Sequence, residues 1–471
     1  TPPPLRCVPP RPPPRDAPTA RRVRLAIPTV RYAHLLNRSG RFGLPRLNVS
    51  RVDYSDVVSV VHEAVVLENA CLRVTVLPRM GRVYRVEDKT TGHDVLWRNR
   101  IAAPAGANND LGWWLWIGGI EYTLPGQEHG FTWALDWDWR VDDAASAAAA
   151  AVTAVVVEPT TGMVETLTFS LAPDSIALDT TVHLHNPSAT RTAMYAHWTN
   201  VPFVPGPSNR LPDGAEFIVP TASISVEPRW QANLGPGTQD WPASPLRYFA
   251  NWTNGTRMGD FTANGFSNLS GTPSSFFGTF SHDDDEGGVR VFDAEATPGL
   301  DTWTYGFEPT DRCFPQNRNI SRCSYAEMWG GTVRQLEKLK PLAPRANLSW
   351  SEHVAPFRGT QGLAFANKYF GANAYYEDQA LTIAVTVSPI RALPNVEIVL
   401  GNRSQPVLLF YPGHAIRAEF PVDEGGVDLG ENVVAVAVDN VVITVKSSGV
   451  VVGSFPLPRR KRKKALSMTH D

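Results

Sequence analysis

The stretch Leu72-Arg-Val-Thr-Val-Leu-Pro-Arg-Met-Gly-Arg-Val-Tyr-Arg-Val-Glu-Asp-Lys-Thr-Thr-Gly-His-Asp-Val-Leu-Trp97 decides the fold class. Its β-branched runs Leu72–Leu77 and Val83–Glu87 flank a turn at Pro78–Gly81. The polar segment Asp88–Gly92 has the composition of a hairpin loop, and a further short strand, Asp94–Trp97, follows it. Strands joined by connections this short predict an antiparallel sheet.

The same signals continue through most of the chain. Val57–Leu67 is another β-branched run, and Val164–Leu171 and Ile176–His185 alternate apolar and polar residues, as strands with one wet face do. After a Pro/Gly-containing connector, short strands such as Leu381–Val387 and Val396–Leu400 predict a second, smaller β region. The sequence therefore predicts an all-β fold.

Four segments are expected along the chain. Residues 1–54 form a Pro-rich extended N-terminal arm, residues 55–356 a large β unit, residues 365–456 a small C-terminal β-sandwich and residues 457–471 a basic tail. The basic run Arg459–Lys464 is interpreted as a solvated tail, with a processing site or a contact with an acidic glycan as alternatives.

Composition narrows the class of partner. The chain has 471 residues, a formal net charge of −2 and only 19% charged residues, which favours neither nucleic acid nor an anionic membrane surface. No apolar run approaches the roughly 20 residues that span a bilayer. A glycan or another protein is the expected partner, and no cofactor or metal is required by any motif.

The four cysteines predict two disulfides, for which three connectivities are possible. Cys313 and Cys323 bracket a short polar loop, and pairing of Cys7 with Cys71 would then attach the N-terminal arm to the first core strand. Neither pair has the spacing of a zinc or redox site.

Eight N-x-[ST] triplets without proline predict a secreted, N-glycosylated protein found outside the cell or at its surface. Chance would supply roughly three such triplets at this composition, and most of the eight fall in turn-like stretches where a glycan can project. A chain that begins at Thr1 is also expected for a mature protein after signal removal. The predicted acceptors are Asn37, Asn48, Asn251, Asn254, Asn268, Asn319, Asn347 and Asn402.

Four segments resemble the galactose-mutarotase-like (aldose epimerase-like) superfamily over about residues 60–355. They are Val66–Trp97, Trp116-Ile-Gly-Gly-Ile-Glu-Tyr-Thr-Leu-Pro125, Tyr195–Pro202 and Ser324–Trp329. Gly81-Arg82 stands where the superfamily often has Gly-Gly-Arg, and the Gly-Gly-Ile-Glu segment is similar to a branch of uncharacterised domains. The resemblance implies a large antiparallel two-sheet supersandwich with a concave face. Because this superfamily includes enzymes and non-enzymes, it leaves activity open.

The resemblance also implies candidates for acid–base chemistry. In mutarotases a glutamate removes the proton of the anomeric hydroxyl while a histidine protonates the ring oxygen. The candidates here are Glu327 and Glu121 for the base, and His197 and His129 for the acid. The alternative is that these glutamates form ordinary ion pairs and the histidines are hydrogen-bonded core residues.

Aromatic residues offer candidate sugar-binding positions. Trp133, Trp137 and Trp139 would share one face of an alternating strand, and they form with Trp116 and Trp198 the set predicted to stack on carbohydrate. The alternative is that they build one wall of the core.

Two functions from different classes follow. The first is a secreted carbohydrate-binding or carbohydrate-processing protein that uses the concave face. The second is a structural subunit of an extracellular filament or coat, in which the proline-rich arm docks on a neighbouring subunit.

Overall fold

The computed structural model describes residues 17–126, 128–142, 149–212, 214–221, 223–226, 237–241, 243–251, 257–259, 266–267, 273–306, 325–334, 338–377, 382–421 and 442–457. These residues form mainly antiparallel sheets, which confirms the predicted all-β class. The helical pieces among them are 3-10 turns at Ala33–Leu35, Arg41–Gly43, Val49–Arg51, Pro78–Met80, Thr132–Ala134, Pro245–Arg247 and Phe249–Asn251. No helix in the described part of the chain is long and apolar enough to cross a membrane.

The first sheet has seven strands in the order β5-β4-β3-β2-β1-β6-β7. They are β1 (Thr19–Val30), β2 (Val57–Glu68), β3 (Leu72–Leu77), β4 (Arg82–Asp88), β5 (His93–Asp94), β6 (Arg98–Gly106) and β7 (Trp113–Gly118). All neighbours are antiparallel except β1 and β6. The hairpins predicted from Leu72–Trp97 are therefore present.

The second and third sheets complete the large unit. The nine-stranded sheet contains β9 (Asp138–Asp142), β10 (Ala150–Val157), β11 (Val164–Leu171), β12 (Leu178–His185), β15 (Glu216–Ile218), β19 (Phe266–Ser267), β20 (Pro273–Ser281), β21 (Glu286–Phe292) and β25 (Asn347–Arg358). The other seven-stranded sheet contains β8 (Glu121–Thr123), β14 (Trp198–Asn200), β16 (Ser223–Val226), β17 (Gly237–Asp240), β18 (Arg257–Gly259), β22 (Gly299–Gly306) and β23 (Tyr325–Gly331). A separate two-stranded pair joins β13 (Ala193–Tyr195) to β24 (Lys340–Leu342).

Alternation explains how these strands share one core. In β11, Glu165, Leu167, Phe169 and Leu171 are buried while the intervening residues are partly exposed. Residues two apart on a strand point to the same face, so one face of β11 packs inward. The buried face carries one carboxylate, Glu165, among apolar side chains.

The C-terminal unit is a small sandwich of two four-stranded sheets. One contains β26 (Phe365–Ala366), β27 (Phe370–Glu377), β28 (Thr382–Pro389) and β31 (Ile416–Pro421), and the other contains β29 (Val396–Leu400), β30 (Arg403–Val407), β32 (Val442–Ser447) and β33 (Val450–Pro456). Phe365, Ile398 and Phe455 are buried in a hydrophobic cluster between them. The predicted strand Val433–Asp439 lies outside the described residues.

Part of the predicted N-terminal arm is a β-strand. Thr19–Val30 pairs with β2 along its whole length, from Thr19 opposite Glu68 to Val30 opposite Val57. Ile27 and Val30 are buried, so hydrophobic burial and twelve residues of pairing hold the strand in the sheet. Thr19–Val30, expected in the extended arm, is therefore a strand of the first sheet, and the predicted domain boundaries stay predictions.

Cys71, which the sequence predicts to pair with Cys7, is a buried cysteine in the main hydrophobic core, and the structure records no disulfide to it among the described residues. Burial, with the nearby charges of Asp88 and Asp174, raises the pKa of the Cys71 thiol to about 11. Cys7, Cys313 and Cys323 lie outside the described residues.

Candidate functional site

Strand β8 separates two polar environments. The Tyr122 hydroxyl lies 3.0 Å from the hydroxyl of Thr180 on β12, so Tyr122 points toward the nine-stranded sheet. Glu121 and its cross-strand partner Asn200 alternate with Tyr122 and Thr199 and therefore point the other way. We call this side, turned away from the nine-stranded sheet, the outer face.

Two glycines bring Glu121 to the outer face. Gly118 and Gly119 have φ values of 89° and 74°, which L residues with a side chain adopt at a cost. A Cβ on Gly119 would lie 2.2 Å from the Val83 carbonyl oxygen, so only glycine fits beside β4. The following Ile120 amide donates to that carbonyl at 2.7 Å, and this bond anchors the start of β8 to the first sheet.

Arg82, Glu121 and His129 form a buried ionic group. Nη2 of Arg82 lies 2.9 Å from Oε2 of Glu121, and Nδ1 of His129 lies 3.2 Å from Oε1. Burial would raise the pKa of Glu121, but the charges of Arg82 and His129 outweigh it and the pKa is lowered. Burial likewise opposes protonation of His129, yet the negative charges of Glu121 and Glu327 raise its pKa. The two groups therefore each favour the charged form of the other.

The His129 ring is fixed by aromatic contacts and by its backbone. Its centroid lies 3.8 Å from that of Trp114 with 9° between the ring planes, and the Trp329 ring meets it edge-on at 5.4 Å. His129 has a φ of 61°, a left-handed conformation that is uncommon outside glycine. Backbone strain of this kind persists where the surroundings over-determine it and is concentrated at functional sites.

Glu327 shares the outer face with this group. It accepts a hydrogen bond from the Trp329 Nε1–H at 2.8 Å. Trp329 is opposite Asn200 in the sheet, and Glu327 alternates in step with Trp329, so both side chains project on the same side as Glu121. Arg82, Glu121, His129, Glu327 and Trp329 are all at most 5% exposed, and we call them the outer-face cluster.

His197 belongs to a different environment. Its Nε2 lies 3.0 Å from Oε1 of Glu165, whose side chain is fully buried on the inward face of β11. Nearby, Glu352 accepts hydrogen bonds from Arg290, Trp350 and Thr199. Burial would raise the pKa of Glu352, but the Arg290 charge outweighs it and the pKa is lowered. The structure thus brings together Glu121, His129 and Glu327, and places His197 between the sheets.

The predicted tryptophans are distributed over the core rather than on one platform. Trp133 lies in a 3-10 turn, and Trp137, 1% exposed, donates its Nε1–H to the Thr132 carbonyl at 2.8 Å. Trp139 is half-buried under the Arg22 guanidinium, 4.6 Å from its ring centroid. The expected single face is absent because the chain turns between Trp133 and Trp139 instead of continuing as a strand. Trp133 and Trp137 are buried, as expected under the alternative in which these tryptophans build one wall of the core.

Trp116 and Trp198 lie near the outer-face cluster. Trp116 packs against Trp114, with 5.8 Å between ring centroids, and Trp114 is the ring that stacks on His129. Trp198 is fully buried in a small hydrophobic cluster with Trp329. Both rings are therefore buried beside residues that contact or belong to the outer-face cluster, and neither is exposed to solvent.

The predicted acceptor asparagines divide into described and undescribed positions. Asn37, Asn48, Asn251, Asn347 and Asn402 are exposed, whereas Asn254, Asn268 and Asn319 lie outside the described residues. A surface depression of about 310 Å³ is lined by Leu35, Asn37, Arg46, Leu47, Asn48 and Arg51, away from the outer-face cluster.

Among the described residues, no group of three or more His, Cys, Asp and Glu side chains is arranged to hold a metal ion.

Sequence reasoning missed several polar residues of the site. Arg82 is part of the Gly81-Arg82 pair that stands where the superfamily often has Gly-Gly-Arg, but no sequence pattern paired it with Glu121. Glu165 stands on the apolar side of an alternating strand, and that position alone indicates a buried carboxylate needing a partner. The sequence does not distinguish Trp114 from its neighbours Trp113 and Trp116, and all three side chains are buried in the structure.

Several solved structures are similar to this chain. A TPR-domain containing protein from Parabacteroides distasonis matches at 18% identity and a TM-score of 0.56, over 72% of this chain and 55% of that one. A putative aldose 1-epimerase from Klebsiella pneumoniae matches at 14% identity and a TM-score of 0.46, over 62% and 79%. A galactose mutarotase-like protein from Lactobacillus casei matches at 12% identity and a TM-score of 0.41, over 62% and 99%.

These matches concern the fold. This chain spans about half the length of the Parabacteroides protein, since it covers 55% of it. Galactose mutarotase-like and aldose 1-epimerase proteins are among the similar structures. A family model described as a domain of unknown function, DUF5107, matches residues 52–352. The chain therefore belongs to the DUF5107 family.

Proposed function

We propose that this protein binds a carbohydrate at the outer-face cluster and catalyses proton transfer to and from it. The observation that carries the proposal is the contact of His129, whose pKa is raised, with Glu121 on the same outer face as a second carboxylate, Glu327. One group can donate a proton while the other accepts one, which is the requirement for opening and closing a sugar ring.

The proposed step assigns one role to each residue. Glu327 accepts the proton of the anomeric hydroxyl, and the electron pair of that O–H bond forms the carbonyl. The bond between the anomeric carbon and the ring oxygen breaks, and the ring oxygen takes the proton of His129. Ring closure on the other face of the carbonyl returns both protons and yields the second anomer. Glu121 positions His129 and favours its charged form, and Arg82 pairs with the other oxygen of Glu121.

Three matched variants test the proposal. Glu121→Gln and Glu327→Gln change the outer face, whereas Glu165→Gln changes an equally buried glutamate that contacts His197 between the sheets. We expect the wild-type chain to accelerate anomer exchange of D-galactose or D-glucose, measured by NMR exchange spectroscopy. Glu327→Gln should lower that rate about 10²-fold or more, and folded Glu165→Gln should retain it.

Other results would contradict the assignment of the base, the catalytic step or the whole proposal. Full activity in Glu327→Gln would exclude this residue as the base. Sugar binding without exchange would remove the catalytic step and leave a binding protein. If neither occurs for any aldose and the native chain forms regular polymers in the electron microscope, the proposal fails and the filament or coat function replaces it.

A further inference from the structure

Two of the predicted acceptor asparagines have the same local geometry. The Asn37 Oδ1 accepts hydrogen bonds from the Ser39 amide at 2.8 Å and the Ser39 hydroxyl at 2.7 Å. The Asn48 Oδ1 accepts the corresponding bonds from Ser50 at 3.1 Å and 2.7 Å. Each bond joins residues two apart, so this turn needs no tertiary structure and is available to a chain that has not yet folded.

A third predicted acceptor, Asn347, differs. It lies in β25, where it is paired with His185 of β12. The hydroxyl of its triplet, on Ser349, donates instead to the Val182 carbonyl at 3.0 Å. This arrangement depends on a partner far away in sequence and leaves the Asn347 amide without help from its own triplet hydroxyl.

The position of Asn37 and Asn48 in the folded protein also suits a large substituent. Both residues and both serines are exposed. The two asparagines border the same surface depression of about 310 Å³, which is also lined by Arg46 and Arg51 and leaves room for attached sugars. A glycan at either position therefore requires no rearrangement of the core.

We propose that Asn37 and Asn48 are N-glycosylation sites and are modified more completely than Asn347. In the reaction, the Asn Nδ2 attacks the anomeric carbon of an oligosaccharide carried on a polyprenyl diphosphate. A C–N bond forms, the C–O bond to the diphosphate breaks, the polyprenyl diphosphate leaves as an anion, and the proton lost by Nδ2 passes to the solvent. Hydrogen bonds from the serine hydroxyl and amide to Oδ1 draw electron density from the amide and favour that proton loss. The inference is independent of sugar handling at the outer-face cluster.

The experiment uses the full chain purified from its native source. Peptide-N-glycosidase treatment in heavy-oxygen water converts each glycosylated asparagine to a labelled aspartate, and peptide mass spectrometry gives the labelled fraction at each position. We expect the labelled fraction at Asn37 and Asn48 to exceed that at Asn347 several-fold.

Single variants provide the control. Asn37→Gln and Asn48→Gln, expressed in the same cells, should each remove one glycan from the intact mass, whereas Asn347→Gln should leave the main glycoform unchanged. Unlabelled Asn37 and Asn48, or equal labelling at all three positions, would overturn the proposal.

Discussion

Arg82 and Glu121 form an ion pair in which the two side chains are only 2% and 1% exposed and Nη2 lies 2.9 Å from Oε2. The same arginine donates from Nη1 to the Gly118 carbonyl at 2.9 Å. One side chain thus holds both the backbone turn that leads into β8 and the carboxylate that this strand presents. The candidate site and the junction between two sheets are therefore stabilised by the same contacts.

Removing the Glu121 charge should destabilise the fold. Glu121→Gln keeps the side-chain size but leaves the Arg82 charge buried without compensation, and breaking a buried pair costs roughly 3–5 kcal/mol. The free energy of unfolding, measured by urea titration, should fall by that order. Glu63→Gln is the control, because Glu63 pairs with Arg79 where both side chains are more than half exposed. It should change stability by less than about 1 kcal/mol, and an equal loss in the two variants would contradict the structural role of the buried pair.

Gly119→Ala should be far more damaging than Gly92→Ala. Both glycines have positive φ values, 74° and 76°, so both substitutions carry the backbone cost of about 1–2 kcal/mol. A Cβ at Gly92 meets nothing within 4 Å, whereas at Gly119 it would lie 2.2 Å from the Val83 carbonyl oxygen. Thermal unfolding of the two variants separates the clash from the backbone cost. Similar melting temperatures would show that the junction between β4 and β8 is looser than described.

The Glu121–His129 pair should impose a pH dependence on stability. The pKa of His129 is raised from its ordinary 6.5, so its contribution is complete below pH 6.5 and is lost as pH rises through the folded-state pKa. The pKa of Glu121 is lowered from 4.5, so its contribution is present above pH 4.5 and is lost as pH falls through the folded-state value. The pair therefore contributes most between about pH 4.5 and 6.5. Urea titrations across pH should show that His129→Gln removes part of the alkaline loss; an unchanged profile would contradict the pairing.

Cys71 should be unreactive in the folded protein. Burial raises the pKa of its thiol to about 11, so little thiolate exists at neutral pH and reagents cannot reach it. Without reductant, iodoacetamide should label Cys71 only after unfolding in urea, and peptide mass spectrometry identifies the labelled residue. Recovery of Cys71 in a disulfide-linked peptide with Cys7 would restore the sequence-based pairing.

Local pattern predicted the strands well. The β-branched runs around Leu72–Leu77 and Val83–Glu87 became β3 and β4, and the alternation of Val164–Leu171 became β11 with one buried face. These features depend on residues close in sequence, since side-chain period and turn composition act over a few positions. The motif resemblance also selected Glu121, His129 and Glu327, although it did not say which of them meet.

Tertiary structure decided which glutamate each histidine contacts and whether the tryptophans are buried or exposed. By sequence alone, His129 and His197 were equivalent candidates, but His129 meets Glu121 on the outer face and His197 meets Glu165 between the sheets. Trp137 was expected on a binding surface, yet it packs over Gly81 in the core. The sequence determined which residues form strands and which alternate. Which face of each strand is buried, and what charge lies opposite it, depends on sheet pairing between distant segments, and only the folded chain brings those segments together.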